Sequence, residues 1–148
     1  MSEQKMVKTL QRLQQLRQRA LNQTTSQLAQ QKQLCQRYQN NINALTSLTH
    51  FSFAVRAGAC PTIGAFQMTN SAHYKRHIQR VIDWQKQEQT LADMEAGKLQ
   101  VQLQQQACRE KIVAVVVEQQ QQLYQMEQGR REQKITDNLA AQCWLRGR

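Results

Sequence analysis

The sequence predicts an all-α protein: two long helices in an antiparallel coiled-coil hairpin, the second helix longer and overhanging the first. Three observations carry this. Glutamine, a good helix former, is the dominant polar residue, at 30 of 148 positions. Apolar residues recur at alternating three- and four-residue steps along two long stretches. The single proline, Pro61, and two of the five glycines, Gly58 and Gly64, fall together in the segment between them. Aromatics make up 5% of the chain and mean hydropathy is −0.73, too polar for a thick core and suited to helices with one narrow apolar seam. A single coiled-coil domain over residues 1–148 is expected.

The first helix is expected over about 4–49, a stretch without Gly or Pro. Its grid runs Leu21, Thr24, Leu28, Gln31, Cys35, Tyr38, Ile42, Leu45, a heptad pattern with polar seats. Upstream, Met6, Leu10 and Leu13 fit a shifted grid, which predicts a slip near Arg17. The connector, about 50–71, carries Phe51, Phe53, Val55, Ile63 and Phe66. It is long for a structureless loop, which points to a functional or partly helical tip. Thr69, Asn70 and Ser71 offer capping residues for the second helix.

The second helix is expected over about 72–140, followed by a basic tail over about 141–148. One grid holds Trp84, Leu91, Met94, Val101, Cys108, Ile112, Val115 and Met126, interrupted by Lys98, Gln105, Gln119 and Gln122. Helices of ~46 and ~70 residues would span ~70 and ~105 Å. Neither is stable alone at this polarity, so each needs a partner for its stripe. Ile112 to Val117 reads as a strand in isolation, but its Gln-rich, heptad-compatible neighbours keep it helical. It is apolar around more of the helix than one partner requires, so it serves as a thick part of the hairpin core or also meets another protein.

The formal charge is +10 and the pI about 10.0, which attracts nucleic acid, anionic lipid or acidic protein. The basic residues are scattered along the helices, as on a solvated face, and no recognition motif for nucleic acid accompanies them. Cys35, Cys60, Cys108 and Cys143 form no C-x-x-C pair, and no signal peptide precedes them. Four reduced thiols in a cytosolic protein are expected. His73 and His77 share a helical face, but no carboxylate or thiol completes a metal set in the same turns. No phosphate loop or nucleophile motif is visible, and two paired helices offer no pocket to desolvate a catalytic group. No enzyme activity, cofactor or metal is expected.

Two surfaces suit protein partners. His77, Val81, Trp84 and Glu88 follow i, i+4, i+7, i+11 spacing at the start of the second helix. Trp84 and Val81 are either ordinary seam residues or part of a docking face. Near the C-terminus, Trp144 and Leu145 lie beyond the reach of the first helix.

The chain resembles the flagellar export protein FliJ family in architecture over nearly its whole length. The resemblance is most specific at Tyr38-Gln39-Asn40, at Met68-Thr69-Asn70-Ser71 leading to Tyr74, Ile78-Gln79 and Ile82, and at Glu132-Gln133-Lys134 followed by Asp137. It implies a non-enzymatic coiled-coil component of the flagellar type III export apparatus, similar to the stalk of rotary ATPases. The partners it implies are the export ATPase hexamer, the export gate protein FlhA, and export chaperones with their substrates. No nucleic acid is among them. It places the protein in the cytoplasm, held at the inner membrane through protein partners. Carried over by position, the gate face falls on His77, Val81, Trp84 and Glu88, of which Val81 keeps the aliphatic character of the family. The ATPase contacts fall on the termini, at Leu10, Leu13, Lys134, Asp137 and Trp144. The stalk proteins of virulence type III secretion systems share this design. A basic nucleic-acid-binding helical protein and a purely structural coiled-coil dimer are the competing readings.

Overall fold

The computed structural model describes residues 2–58 and 64–147, with side chains at all of these except 52–58, 65 and 66. It is an all-α helical hairpin. Helix α1 spans Ser2–Gly58 and helix α2 spans Ala65–Arg146. Both helices run further than the sequence suggests. Helix α1 continues through position 58, since nothing from His50 to Ala57 breaks a helix. Helix α2 starts at Ala65, so Thr69, Asn70 and Ser71 lie inside its first turns, and the chain stays helical through position 146. The turn into α2 rests on Gly64, whose carbonyl accepts from the amides of Gln67 (2.9 Å) and Met68 (3.2 Å). The expected apolar tip residues Phe53, Val55, Ile63 and Phe66 lie outside the described side chains.

So polar a chain is helical partly because its amides bond along the helix. Gln18 donates to Asn22, Gln36 to Asn40, Gln39 to Asn43 and Gln79 to Asp83, each four residues apart at 3.0–3.3 Å. Each such pair contributes about 0.2–0.5 kcal/mol to a helix. Thr9, Thr46, Ser47, Thr49, Thr90 and Thr136 return their hydroxyls to the carbonyl four residues back, which satisfies each hydroxyl within the helix at a slight cost to helix stability.

Contacts group the chain into two units: Met1–Gln23 with Leu103–Arg148, and Thr24–Gln102. In the second of these, the connector unit, the core is Ile42, Ile78 and Ile82, with Leu45 packed on it. Leu28, Ala92 and Thr24 are also buried. The α1 side of the seam follows the expected grid: Thr24, Leu28, Gln31, Cys35, Tyr38, Ile42 and Leu45 all turn from water. The α2 side does not. Its inward positions are Ser71, Lys75, Ile78, Ile82, Gln85, Gln89, Ala92, Ala96 and Leu99. The expected Trp84, Leu91, Met94 and Val101 are exposed instead. Small and amide side chains let the helices close on each other. The Gln31 Nε2 donates to the Ala92 carbonyl at 3.1 Å, and the Gln89 Nε2 donates to Gln39 Oε1 at 2.7 Å.

In the terminal unit, α1 turns Val7, Leu10, Gln14, Arg17 and Leu21 inward. These steps alternate three and four without interruption, so the expected slip near Arg17 is absent. Met6 and Leu13 point outward, and polar Gln14 and Arg17 hold the seats. Opposite them α2 presents Leu103, Gln106, Glu110, Val113, Val117, Gln120, Tyr124 and Glu127. The expected Cys108, Ile112, Val115 and Met126 are exposed. Glu3, Met6 and Val7 line a groove with Gln120, Leu123, Tyr124 and Glu127. Every described residue of α2 from Gly129 onward is exposed. This is the expected overhang of the longer helix.

The seam is thin throughout. Among the described residues no large side chain is fully buried, and the buried amide oxygens of Gln85 and Gln106 have no hydrogen-bond partner. An unmatched buried amide costs about 1–3 kcal/mol, so these seats trade stability for polarity.

Candidate protein-interaction surfaces

The proposed gate face of the connector unit falls along one edge of the seam. Its four residues sit one position before the inward residues Ile78, Ile82, Gln85 and Gln89, a rotation of about 100° on the helix. Val81 and Glu88 are therefore half-buried, while His77 and Trp84 project to solvent. Trp84 is 55% exposed, which removes it from the seam and leaves a large apolar side chain uncovered. Beside it, Asn70, His73, Tyr74, Arg76, His77 and Arg80 line a shallow groove on the outer side of α2. The sequence marks Asn70 and Tyr74 there as part of the family resemblance, His77 as part of the gate face, and His73 with His77 as an incomplete metal pair. No group of three or more His, Cys, Asp or Glu gathers among the described residues.

Further along α2 the expected seam is an outward stripe. Leu91 and Met94 are 60% and 59% exposed. The stripe sits two positions after the inward set, a rotation of about 200°, so α2 carries apolar heptads on nearly opposite faces. In the terminal unit the outward stripe widens into a groove of almost purely apolar lining, formed by Cys108, Lys111, Ile112, Val115 and Val116. The run from Ile112 to Val117 thus divides its work: Val113 and Val117 turn inward, while Ile112 is 64% exposed.

The residues expected at the termini are not equivalent. Leu10 packs in the seam, and Leu13 lies at its margin, 38% exposed. Lys134, Asp137 and Trp144 all belong to the uncovered end of α2, with Ile135, Leu139 and Leu145 among them as exposed apolar side chains. The ion pair resolved beside this stretch joins Arg131 Nε to Glu127 Oε1 at 3.3 Å, a solvent-exposed i, i+4 contact.

One thiol, Cys35, has a shifted pKa. Burial at the seam pushes Cys35 above its ordinary pKa, and a hydrogen bond and negative charge from Asp93 raise it further. This stabilises the neutral thiol, which suits packing and opposes nucleophilic chemistry. Cys35, Cys108 and Cys143 are free thiols, and Cys60 lies outside the described residues. Among the described residues no helix is long and apolar enough to cross a membrane.

A helical hairpin with a thin polar seam, exposed apolar stripes and a long uncovered helix end defines a coiled-coil interaction protein. The family model described as "Flagellar FliJ protein" matches residues 6–148, essentially the whole chain. The chain belongs to the FliJ family and is a component of the flagellar type III export apparatus, a non-enzymatic one by family. No curated protein and no solved structure matches it.

Proposed function

We propose that this protein is the stalk and general escort of its export apparatus, linking the export ATPase to the membrane export gate. The observation that carries this reading is the uncovered end of α2. From Gly129 to Arg146 every residue is exposed, yet the stretch keeps Ile135, Leu139, Trp144 and Leu145. Chain of this kind gains stability only when another surface covers it. The inside of an ATPase ring is such a surface, and Leu13, Lys134, Asp137 and Trp144 are the contacts there. The gate protein FlhA meets the face of His77, Val81, Trp84 and Glu88, where an exposed Trp supplies an anchor. Chaperones that deliver substrates are the third partner. The protein works in the cytoplasm and reaches the membrane through these partners.

The test is ATPase activity. Purified chain added at substoichiometric amounts should stimulate the hexameric export ATPase of the same cell. Absence of both binding and stimulation would remove the stalk role while leaving family membership intact.

A further inference from the structure

Acidic residues are segregated along this chain. Residues 4–82 contain no Asp or Glu, but they hold eleven Lys or Arg residues and all three His. In the connector unit the acids Asp83, Glu88, Asp93 and Glu95 all follow this stretch. On the connector side of Asp83, the ionisable side chains that α2 presents besides tyrosine are all basic: His73, Lys75, Arg76, His77 and Arg80. His73, Arg76, His77 and Arg80 share one open groove with Asn70 and Tyr74. Among the described residues neither Arg76 nor Arg80 has an ion-pair partner. The first turn of α2 carries no acid, so the positive end of its dipole adds to this field.

Exposed apolar side chains occur in the same unit. Phe51 on α1 is 68% exposed and Met68 on α2 is 64% exposed, with Leu48 and Tyr74 also open. Cations that meet headgroups beside apolar side chains that enter the acyl boundary are what adsorption to an anionic bilayer requires. A nucleic acid would use the same charge but has no need of an exposed Phe and Met.

We propose that the connector end of this hairpin adsorbs directly to anionic phospholipid. The groove of His73, Arg76, His77 and Arg80 receives headgroup phosphates, and Phe51 and Met68 enter the interface. The inference goes beyond the stalk reading and does not depend on it, since neither the ATPase nor the gate takes part in the test.

Co-sedimentation of the full chain with vesicles tests it, comparing phosphatidylcholine alone with phosphatidylcholine plus phosphatidylglycerol. Binding is expected only to the anionic vesicles. Each basic residue near such a surface is worth about a factor of five, so Arg76→Gln with Arg80→Gln should weaken binding about 30-fold. Lys5→Gln with Lys8→Gln removes the same charge from the other unit and should change binding by less than about 3-fold under the same rule. Phe51→Ser with Met68→Ser should weaken binding at unchanged charge. These positions are exposed, and circular dichroism verifies that each variant keeps its helicity. Equal losses in the two charge variants would mean general attraction of a basic protein and would overturn the proposal. So would binding indifferent to Phe51 and Met68, or no anionic preference. If duplex DNA bound through Arg76 and Arg80 while vesicles did not, the anionic partner would be nucleic acid and the lipid assignment would be wrong.

Discussion

The Asp93 carboxylate on α2 acts on the Cys35 thiol of α1 across the seam of the connector unit and favours its protonated form. Burial is the larger cause of its raised pKa and Asp93 the second. The sign of the pH effect follows. The unfolded chain gives up this proton at lower pH than the folded one, so the contribution to stability is complete below the ordinary thiol pKa. It is lost as pH rises through the folded value. Cys35 should therefore alkylate more slowly than the exposed Cys108 and Cys143 at mildly alkaline pH. Asp93→Asn should speed it. Peptide-resolved mass spectrometry after brief alkylation measures both, and equal rates at all three sites would contradict the contact.

The second prediction concerns register. Ile78 and Ile82 are 7% and 5% exposed, whereas Leu91 and Met94 are open. Replacing either Ile with Ala should cost about 2–5 kcal/mol. Leu91→Ala and Met94→Ala should change stability by no more than about 0.5 kcal/mol. Thermal melts of the four variants decide the matter, and the reverse order would restore the seam that the large apolar residues suggest.

That contrast shows what the sequence makes legible. On α1 the heptad seats from Leu21 to Leu45 are readable because one stripe dominates. On α2 two stripes compete, and counting large apolar residues selects the wrong one. The clue lies in register. Ile78, Ile82, Ala92 and Ala96 share the face on which Gln89 bonds across to α1, while Leu91, Met94 and Ile112 fall two positions past that face. The overhang was legible from helix lengths alone. The groove around Arg76 and Arg80 was not, because scattered cations look solvated until the missing acids are noticed.

A third prediction follows from the helix glycines. A Cβ built on Gly97 or Gly129 meets no atom within 4 Å. Both lie inside α2, where Gly is about 1 kcal/mol worse than Ala. Gly97→Ala and Gly129→Ala should each raise the melting temperature by about 2–4 °C per kcal/mol. A fall in either variant would show that flexibility at that point is part of the native state.

Trp84→Ala tests the gate face. Because Trp84 is outside the seam, helicity and melting temperature should hardly move. Binding to the cytoplasmic part of FlhA should weaken at least 10-fold, since loss of an anchoring Trp costs about 2 kcal/mol or more. Full binding by a folded Trp84→Ala protein would remove the residue from the contact. Loss of helicity would instead make it structural.

Truncation separates the two ends of the molecule. Residues 130–148 contribute no described buried side chain, so a chain ending at Gly129 should melt close to the full-length protein. If the uncovered stretch is the ATPase contact, the shortened chain loses stimulation of the ring entirely while keeping its partner at the Trp84 face. Trp144→Ala alone should reproduce part of that loss, as Trp144 is the largest of the exposed apolar side chains in this stretch. Stimulation that survives truncation would move the ATPase contact onto α1 and the paired part of α2. The exposed groove of Cys108, Ile112, Val115 and Val116 would then be the next surface to alter.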